Sequence, residues 1–558
     1  MAPPPNLFNN LNTVPARSGS ERRERGVSRH DLYILVSLSI MSLVIALEAN
    51  IIVTALSAIV QDIGGNSNQA FWIGTSYLVT CAACMPFTSS ASDVFGRPRI
   101  LFLSTFLFTV GTGVCCLSGN IGVLIAGRTI QGIGSGGMYV LTLVIFTDIV
   151  PLPQRPRLYG IIQMAWAIGS LSGPIIGGAI AENTTWRWIF YLNFPICGYC
   201  LIVIPVLLPL RAPVVGFRQG LARIDWIGGI IFTFSVIAIL IGISWGGNRF
   251  PWVGPQTLLP IILGTLGITF TVYFEWKVSA CPFLKVVLFS NRTSIVTYIL
   301  GLLQGLILYG QLYYVPLFFI SVKGYSPLVA GTSMLPVSAC LLPGSIISGI
   351  LVTRYNAYRW SIWLGWSLTA IASGLLIYWS VETPTYLWVI TLIVGGLGHG
   401  LVLNAQTFVT GAVAAAHHSG HAATMYLFFR MLGTAIGVNL GSSVYQSFMA
   451  SQLREKGLPE SIAFHSEEYL TTLKNLPDGE YRSSVLVSYA SGFKGVHLIF
   501  TSLAGMAFLL SFLVGHYDLN KNSEGDHQLQ PQQLAPPMSR DGDSWVGSSM
   551  YANGTRQD

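Results

Sequence analysis

Apolar runs of about 20 residues or more recur along the whole chain, separated by short polar segments. Fourteen runs can be read, near 33–59, 71–92, 99–118, 121–149, 159–180, 188–210, 225–246, 257–276, 294–321, 328–352, 359–379, 386–412, 421–448 and 495–516. Each can cross a hydrocarbon core of about 30 Å as a helix rising about 1.5 Å per residue. Strands of a β-barrel are about half as long and alternate strictly, which these runs do not. The pattern predicts an all-α integral membrane protein with fourteen transmembrane helices.

The segments between the runs set an orientation. With both termini cytoplasmic, the inner segments carry Arg17 to Arg29, Arg97, Arg99, Arg155, Arg157, Arg211, Arg218, Arg223, Lys277, Lys285, Arg292, Arg354 and Arg359. The outer short loops then carry only Arg187, Arg249 and Lys323. Basic residues concentrate on the cytoplasmic side of membrane proteins, and a miscounted helix would scramble this asymmetry. The long polar segment 449–494 falls outside, where long loops escape the rule. The first run is too long for a signal-peptide core and lacks a cleavage site, so it is expected to stay as the first span.

Composition narrows the class. Of 558 residues, 52% are hydrophobic and 9% charged. A soluble fold carries roughly a quarter charged residues, so one large soluble protein is excluded. The net charge of +7 lies in topology-setting clusters, so no nucleic acid is expected as a partner. Cys197 and Cys200 have CxxC spacing but lie in an apolar run without His or carboxylate neighbours, which reads as packing rather than a metal site. Gly132, Gly134 and Gly137 satisfy GxGxxG inside an apolar helix with no preceding strand, and no Walker A sequence occurs. No cofactor or metal is expected.

Four short stretches carry more specific information. Ser89-Ser-Ala-Ser-Asp93-Val-Phe-Gly96-Arg97-Pro-Arg99 joins the second and third runs. Gly96 permits a tight turn there, and Asp93 sits one helical turn from Arg97. Arg128-Thr-Ile-Gln131-Gly132 lies in the fourth run, and Gly169-Ser-Leu-Ser-Gly173-Pro174-Ile-Ile-Gly177-Gly178 in the fifth. Glycines at four-residue spacing let helices approach closely, and an internal proline bends its helix. The first run contains Leu47-Glu48-Ala49-Asn50-Ile-Ile-Val-Thr54. In this order the four stretches resemble the major facilitator superfamily, in its fourteen-helix drug:proton antiporter branch. Gly324-Tyr-Ser-Pro327 and Trp186-Arg-Trp-Ile-Phe-Tyr-Leu-Asn193-Phe-Pro195 are similar to fungal members that export toxins and drugs. The resemblance covers about residues 30–516. Ser89 stands where the family has glycine, and Glu48 where it usually has aspartate.

The resemblance implies two six-helix halves with an inserted helix pair. The expected boundaries are a disordered basic N-terminus 1–31, a first half 32–210, an inserted pair with linkers 211–293, a second half 294–516, and a disordered tail 517–558. It also implies proton-coupled efflux of a small organic molecule by alternating access, from a functional monomer in the plasma membrane. A vacuolar location is the alternative. Carriage of siderophores or basic amino acids, and a sensor without transport, are the competing functions. A membrane-embedded enzyme is disfavoured, since no catalytic cluster is visible.

Ionisable residues inside a bilayer are functional candidates by default, here Glu48, Arg128, His399, Arg430 and His497. Glu48 and Arg128 lie at similar depth in their runs, so they are expected to pair and couple protons to transport. Arg128, Gln131, Ser135, Tyr139 and Thr142 form one polar stripe on the fourth run. Gln131, Tyr77, Trp166, Gln304, Gln311, Tyr314, His399, Asn404 and Arg430 are the candidate cavity residues, a mix that suits a moderately apolar ligand. For the histidines, a neutral ring bonded to a neighbouring carbonyl is the competing reading. Asp93, Gly96, Arg97 and Asp148 are expected to form a cytoplasmic latch. Gly169, Gly173, Pro174, Gly177 and Gly178 form the antiporter motif. Asn183-Thr-Thr185 is a glycosylation sequon close to the membrane.

Overall fold

The computed structural model describes residues 29–64, 67–150, 154–208, 217–247, 250–279, 282–414 and 419–517. The basic residues Arg17, Arg22, Arg23, Arg25, Arg211 and Arg249, and the tail beyond 517, lie outside the described residues. The described chain is helical, with only an isolated bridge between Gly246 and Phe250. The first part runs α1 (Arg29–Asn50), α2 (Ile52–Ile63), α3 (Ser67–Phe95), α4 (Arg97–Cys116), α5 (Ile121–Ile149), α6 (Arg155–Asn183), α7 (Trp188–Tyr191) and α8 (Asn193–Leu207). Then come α9 (Phe217–Ala222), α10 (Trp226–Trp245) and α11 (Pro255–Lys277). The last part is α12 (Arg292–Ser321), α13 (Pro327–Thr332), α14 (Leu335–Tyr355), α15 (Arg359–Leu376), α16 (Thr385–Val413), α17 (Ser419–Glu455), α18 (Ser461–Phe464), α19 (Ser466–Asn475) and α20 (Glu480–Ser511).

All fourteen expected runs coincide with helix. Twelve of the described helical segments are long and apolar enough to cross a membrane. The other two expected runs fall on α3 and α15. In α3, Thr75, Ser76, Thr80, Ser89 and Ser92 are buried, so its polarity faces protein rather than lipid. A count of fourteen is compatible with this architecture.

Side chains set several helix ends. Asn120, Asp225 and Asn291 accept hydrogen bonds from the first-turn amides of α5, α10 and α12. Between α3 and α4 the chain reverses through Gly96 alone, at φ 92°, where a side chain is disfavoured. The first span is not one continuous helix: α1 ends at Asn50 and α2 restarts at Ile52. Asn50 donates to the Ala46 carbonyl at 2.7 Å, a side-chain bond that competes with the helix ladder beside Glu48.

Two bundles result. In the first, α1 packs on α6, α3 on α5, and α4 on α5 and α8. In the second, α12 packs on α17, α14 on α16, and α20 on α15 and α17. The hairpin α10–α11 packs mostly on itself, and α10 also touches α3 and α17. Its outer surface exposes Ile227, Phe234, Leu259, Leu263, Leu266 and Trp276, a face suited to lipid. The ends holding Arg97, Arg155, Lys277, Arg292 and Arg354 share one side, the basic face.

Candidate functional site

The most deeply buried charges sit in the first bundle. Glu48 on α1 and Arg128 on α5 form an ion pair with both side chains fully buried. The other Glu48 oxygen accepts from Asn193 Nδ2 at 2.5 Å. Arg128 also donates to Gln131 Oε1 at 2.7 Å and to the Ile73 carbonyl at 3.2 Å, and its guanidinium lies 4.4 Å from the Tyr77 ring centre. Gln131 donates onward to Thr112 at 2.9 Å, and the Tyr77 hydroxyl meets Ser135 at 2.6 Å. Five helices, α1, α3, α4, α5 and α8, thus close a network around one negative and one positive charge, in which only Asn193 Oδ1 lacks a partner among the described residues. A lone charge at this depth is costly, and pairing is the remedy. Asn193 was not singled out as a Glu48 partner from sequence. Its signal was an amide in the otherwise apolar and aromatic stretch 188–195.

A second cation lies where the bundles meet. Arg430 on α17 is buried, stacks over Trp166 of α6 at 4.8 Å, and donates from Nη1 to the Tyr139 hydroxyl of α5 at 3.0 Å. Tyr139, Tyr159, Tyr309 and Tyr426 all lie within electrostatic reach of it. Trp166 meets Tyr309 edge-on at 5.9 Å, and Tyr426 donates to Gln406 at 3.3 Å. Tyr139 continues the stripe that begins at Arg128. One face of α5 therefore carries the ion pair near one end and the Arg430 contact about 16 Å along, at 1.5 Å per residue. A small cavity of about 30 Å³ lies between the bundles, lined by Asn50, Leu56, Thr75, Tyr309, Tyr313 and Val438 among others.

Other candidate cavity residues are engaged within the second bundle. His399 meets Gln311 at 3.3 Å, and Gln311 donates to Ser373 at 2.9 Å. Asn404 donates to the Ser345 carbonyl at 2.8 Å, and Tyr314 to the Val438 carbonyl at 2.6 Å. Both side-chain ends of buried Gln304 lack a partner among the described residues, as do both ring nitrogens of His497. Tyr77 and Gln131 belong to the Arg128 network. Trp166 and Arg430 are the pair brought together from opposite bundles.

At the basic face, Arg97 binds Asp93 at 2.5 Å and Asp148 at 3.2 Å. The second bundle adds partners that sequence reasoning missed. His421 lies 3.4 Å from Asp93, Thr424 meets Ser89 at 2.8 Å, and Ser419 accepts from Arg155 at 2.8 Å. Ser89 replaces the family glycine with a hydrogen bond between bundles. The region 419–424 carries no local motif, so only folding of α17 against α3 reveals it.

At the opposite face the glycine-rich stretch 169–178 forms a seam. Thr54 donates to the Pro174 carbonyl at 2.9 Å, and Glu182 accepts from the Leu328 amide at 2.9 Å. A side chain at Gly178 would meet the Pro327 backbone at 2.8 Å, and one at Gly173 would press on α1 at 3.1 Å. These glycines hold α6 against α1 on one side and α13 on the other. The bundles thus touch at both faces. Asn183 is exposed at the end of α6.

Comparison with known proteins agrees with this architecture. A model of the Major Facilitator Superfamily matches residues 38–438. The chain is 33% identical over 489 residues to the MFS transporter L2 of a Phoma species, covering 87% of this chain and 82% of that one. It is 30% identical over 515 residues to the MFS efflux transporter aclA of Aspergillus oryzae, covering 91% and 93%. It is 31% identical over 514 residues to the efflux pump FUS6 of Gibberella fujikuroi, covering 90% and 92%. Among solved structures it resembles a bacterial homologue of the human lysosomal transporter Spinster, with TM-score 0.56 and 18% identity, covering 88% of this chain and 98% of that one. It also resembles the xylose transporter XylE of E. coli, with TM-score 0.53 and 14% identity, covering 87% and 98%. At such identities the structural likeness bears on the fold.

Proposed function

Because the chain belongs to the Major Facilitator Superfamily, we propose that it exports a small organic molecule, of the secondary-metabolite or toxin class, in exchange for protons. The names of its relatives from Aspergillus oryzae and Gibberella fujikuroi support efflux. The sealed Glu48–Arg128 pair carries the proton part of the reading. An ionised Glu48 holds Arg128. A proton on Glu48 removes that charge and frees the arginine to bond elsewhere, which leaves an unpaired cation in the bundle. The state with Arg128 free therefore needs another arrangement of α5. Because Tyr139 on the same face of α5 touches Arg430, a shift of α5 reaches the interface between bundles.

Alternating access then consists of opening one seam while the other stays shut. The Asp93–Arg97–Asp148–His421 cluster closes the basic face, and the α6–α13 contact closes the opposite one. The excess of basic residues supports a cytoplasmic position for the first face and, in this reading, for both termini. The working unit in this reading is a monomer in the plasma membrane, with two six-helix halves and α10–α11 inserted between them.

Purified protein in lipid vesicles tests the coupling. With a pH gradient and no nucleotide, wild-type protein should accumulate a fluorescent drug substrate against its gradient. Glu48→Gln should bind that substrate and fail to concentrate it, and Glu48→Asp should keep part of the activity. Uphill accumulation by Glu48→Gln would show that coupling resides elsewhere.

A further inference from the structure

The edge of Arg430 that faces away from Tyr139 identifies a ligand chemistry. Arg430 is 1% exposed, and Nη1 is used by Tyr139. Nε and Nη2 have no hydrogen-bond partner among the described residues. These two nitrogens lie on the same edge of the guanidinium, the fork that accepts a carboxylate side-on through two parallel hydrogen bonds. No carboxylate among the described residues forms an ion pair with Arg430. Its neighbours are the phenols of Tyr139, Tyr159, Tyr309 and Tyr426 and the indole of Trp166, all neutral. The position thus combines a buried positive charge, a free bidentate edge, and flat apolar surfaces on which an unsaturated body can lie.

We propose that Arg430 binds an acidic group of the cargo, so that the transported molecule is an organic monoanion whose unsaturated body packs against Trp166 and Tyr309. The cargo completes at Arg430 the pairing that Glu48 completes at Arg128. A neutral analogue of the same shape keeps the aromatic contacts and leaves the fork unpaired, which is how a site built around a charge rejects a ligand lacking it. The proposal rests on the transport reading above, because it takes the place where Arg430 and Trp166 meet between the bundles as part of the cargo's path.

The probe is 1-pyrenebutyrate, compared with its methyl ester, with binding to the full-length protein in lipid nanodiscs followed by energy transfer from tryptophan at neutral pH. Wild-type protein should bind the acid at least about tenfold more tightly than the ester, the scale of one charge-assisted contact. Arg430→Gln should erase the preference and leave ester binding near wild type, while Arg430→Lys should retain part of it. Equal binding of acid and ester by wild type overturns the proposal, as does a preference that survives in Arg430→Gln or binding of neither probe. Sodium chloride or phosphate displacing the acid at physiological strength marks an inorganic-anion site and also overturns it. If Arg430→Gln fails to fold, Tyr139→Phe, which frees Nη1 and leaves the fork, must keep the wild-type preference. Vesicle flux separates the two readings. Export of the ester but not the acid removes the anion site and leaves efflux standing. Arg430-dependent binding of the acid without movement of either probe removes efflux and leaves the site.

Discussion

Arg128 and Arg430 are both buried in membrane-spanning helices and both reach the polar face of α5, yet their surroundings are opposite. Arg128 has a carboxylate, an amide, a backbone carbonyl and an aromatic face. Arg430 has one phenol and one indole, and half of its guanidinium is unbonded. Burial alone therefore does not define a site. The same side chain serves as a closed internal element in one bundle and as an open binding element between bundles. The difference lies in whether the protein itself supplies the counter-charge.

Stability offers the largest break of this comparison. Removing one partner of a buried pair leaves the other charge uncompensated, at about 3–5 kcal/mol. Arg128→Gln should therefore lower the unfolding midpoint of purified protein sharply. Glu48→Gln combined with Arg128→Gln should recover most of the loss, since neither charge remains. Arg430→Gln strands no carboxylate, so it should be neutral or stabilising, as substitutions of strained functional residues often are. Thermal unfolding in one detergent, with all variants side by side, measures this. An equal loss in Arg128→Gln and Arg430→Gln would make Arg430 a structural arginine and dissolve the contrast.

Much of the arrangement was legible in the sequence, for physical reasons. A bilayer forces every spanning segment to be long and apolar, so the helices could be read directly. Charges inside such runs are few, so Glu48 and Arg128 stood out, and their depths along two helices of known rise placed them together. Asp93, Arg97 and Asp148 followed from helix ends on one face. What was not legible is what depends on contacts between distant segments. His421 and Thr424 bind Asp93 and Ser89 across more than 300 residues of chain, and nothing near them in sequence signals it. Nor does spacing tell that His399 joins Gln311 within one bundle while Arg430 faces Trp166 across two. The break at Ile51 was likewise hidden, because the Asn50 side chain that bonds back to Ala46 there does the same at Asn439 inside unbroken α17.

Moving a carboxylate–arginine pair from the core to the basic face sharpens the comparison with a smaller effect. Asp93 is partly accessible, at 28%, so water screens its charge, and buried Arg97 keeps Asp148 as a second partner. Asp93→Asn should cost under about 1 kcal/mol in unfolding experiments. Its effect should appear in turnover instead, because Asp93 also reaches His421 of the other bundle. Roughly tenfold slower efflux, with unchanged surface delivery, is expected if the cluster latches one face, corresponding to about 1.4 kcal/mol between conformations. Ser89→Ala, which loses only the bond to Thr424, should slow transport less. Wild-type turnover in Asp93→Asn would reduce the cluster to a topology anchor.

The smallest effect is expected at the opposite face, where the Asp62–Arg187 pair is more exposed than either pair compared so far. Asp62, beyond the first span, accepts from Trp186 Nε1 at 2.8 Å and from Arg187 at 2.9 Å, with 51% of its side chain accessible. The Trp186 hydrogen bond, and then Arg187, hold its carboxyl below the usual aspartate value of 3.8. A group whose folded value is depressed contributes stability that is complete above its unfolded value and disappears as pH falls through the folded value. The gap in unfolding midpoint between wild type and Asp62→Asn should thus be small and constant from pH 7 to about 5, then close below about pH 4. The amide oxygen that this substitution introduces can still accept from Trp186, so only the charge is tested, and salt should shrink the gap as well. Midpoints measured from pH 7 downward at low and high salt decide the matter. A gap that widens as pH falls would assign the contact an energetic role of the opposite sign, and a gap indifferent to both pH and salt would mean that Asp62 acts as a neutral hydrogen-bond acceptor rather than as the exposed counterpart of Glu48.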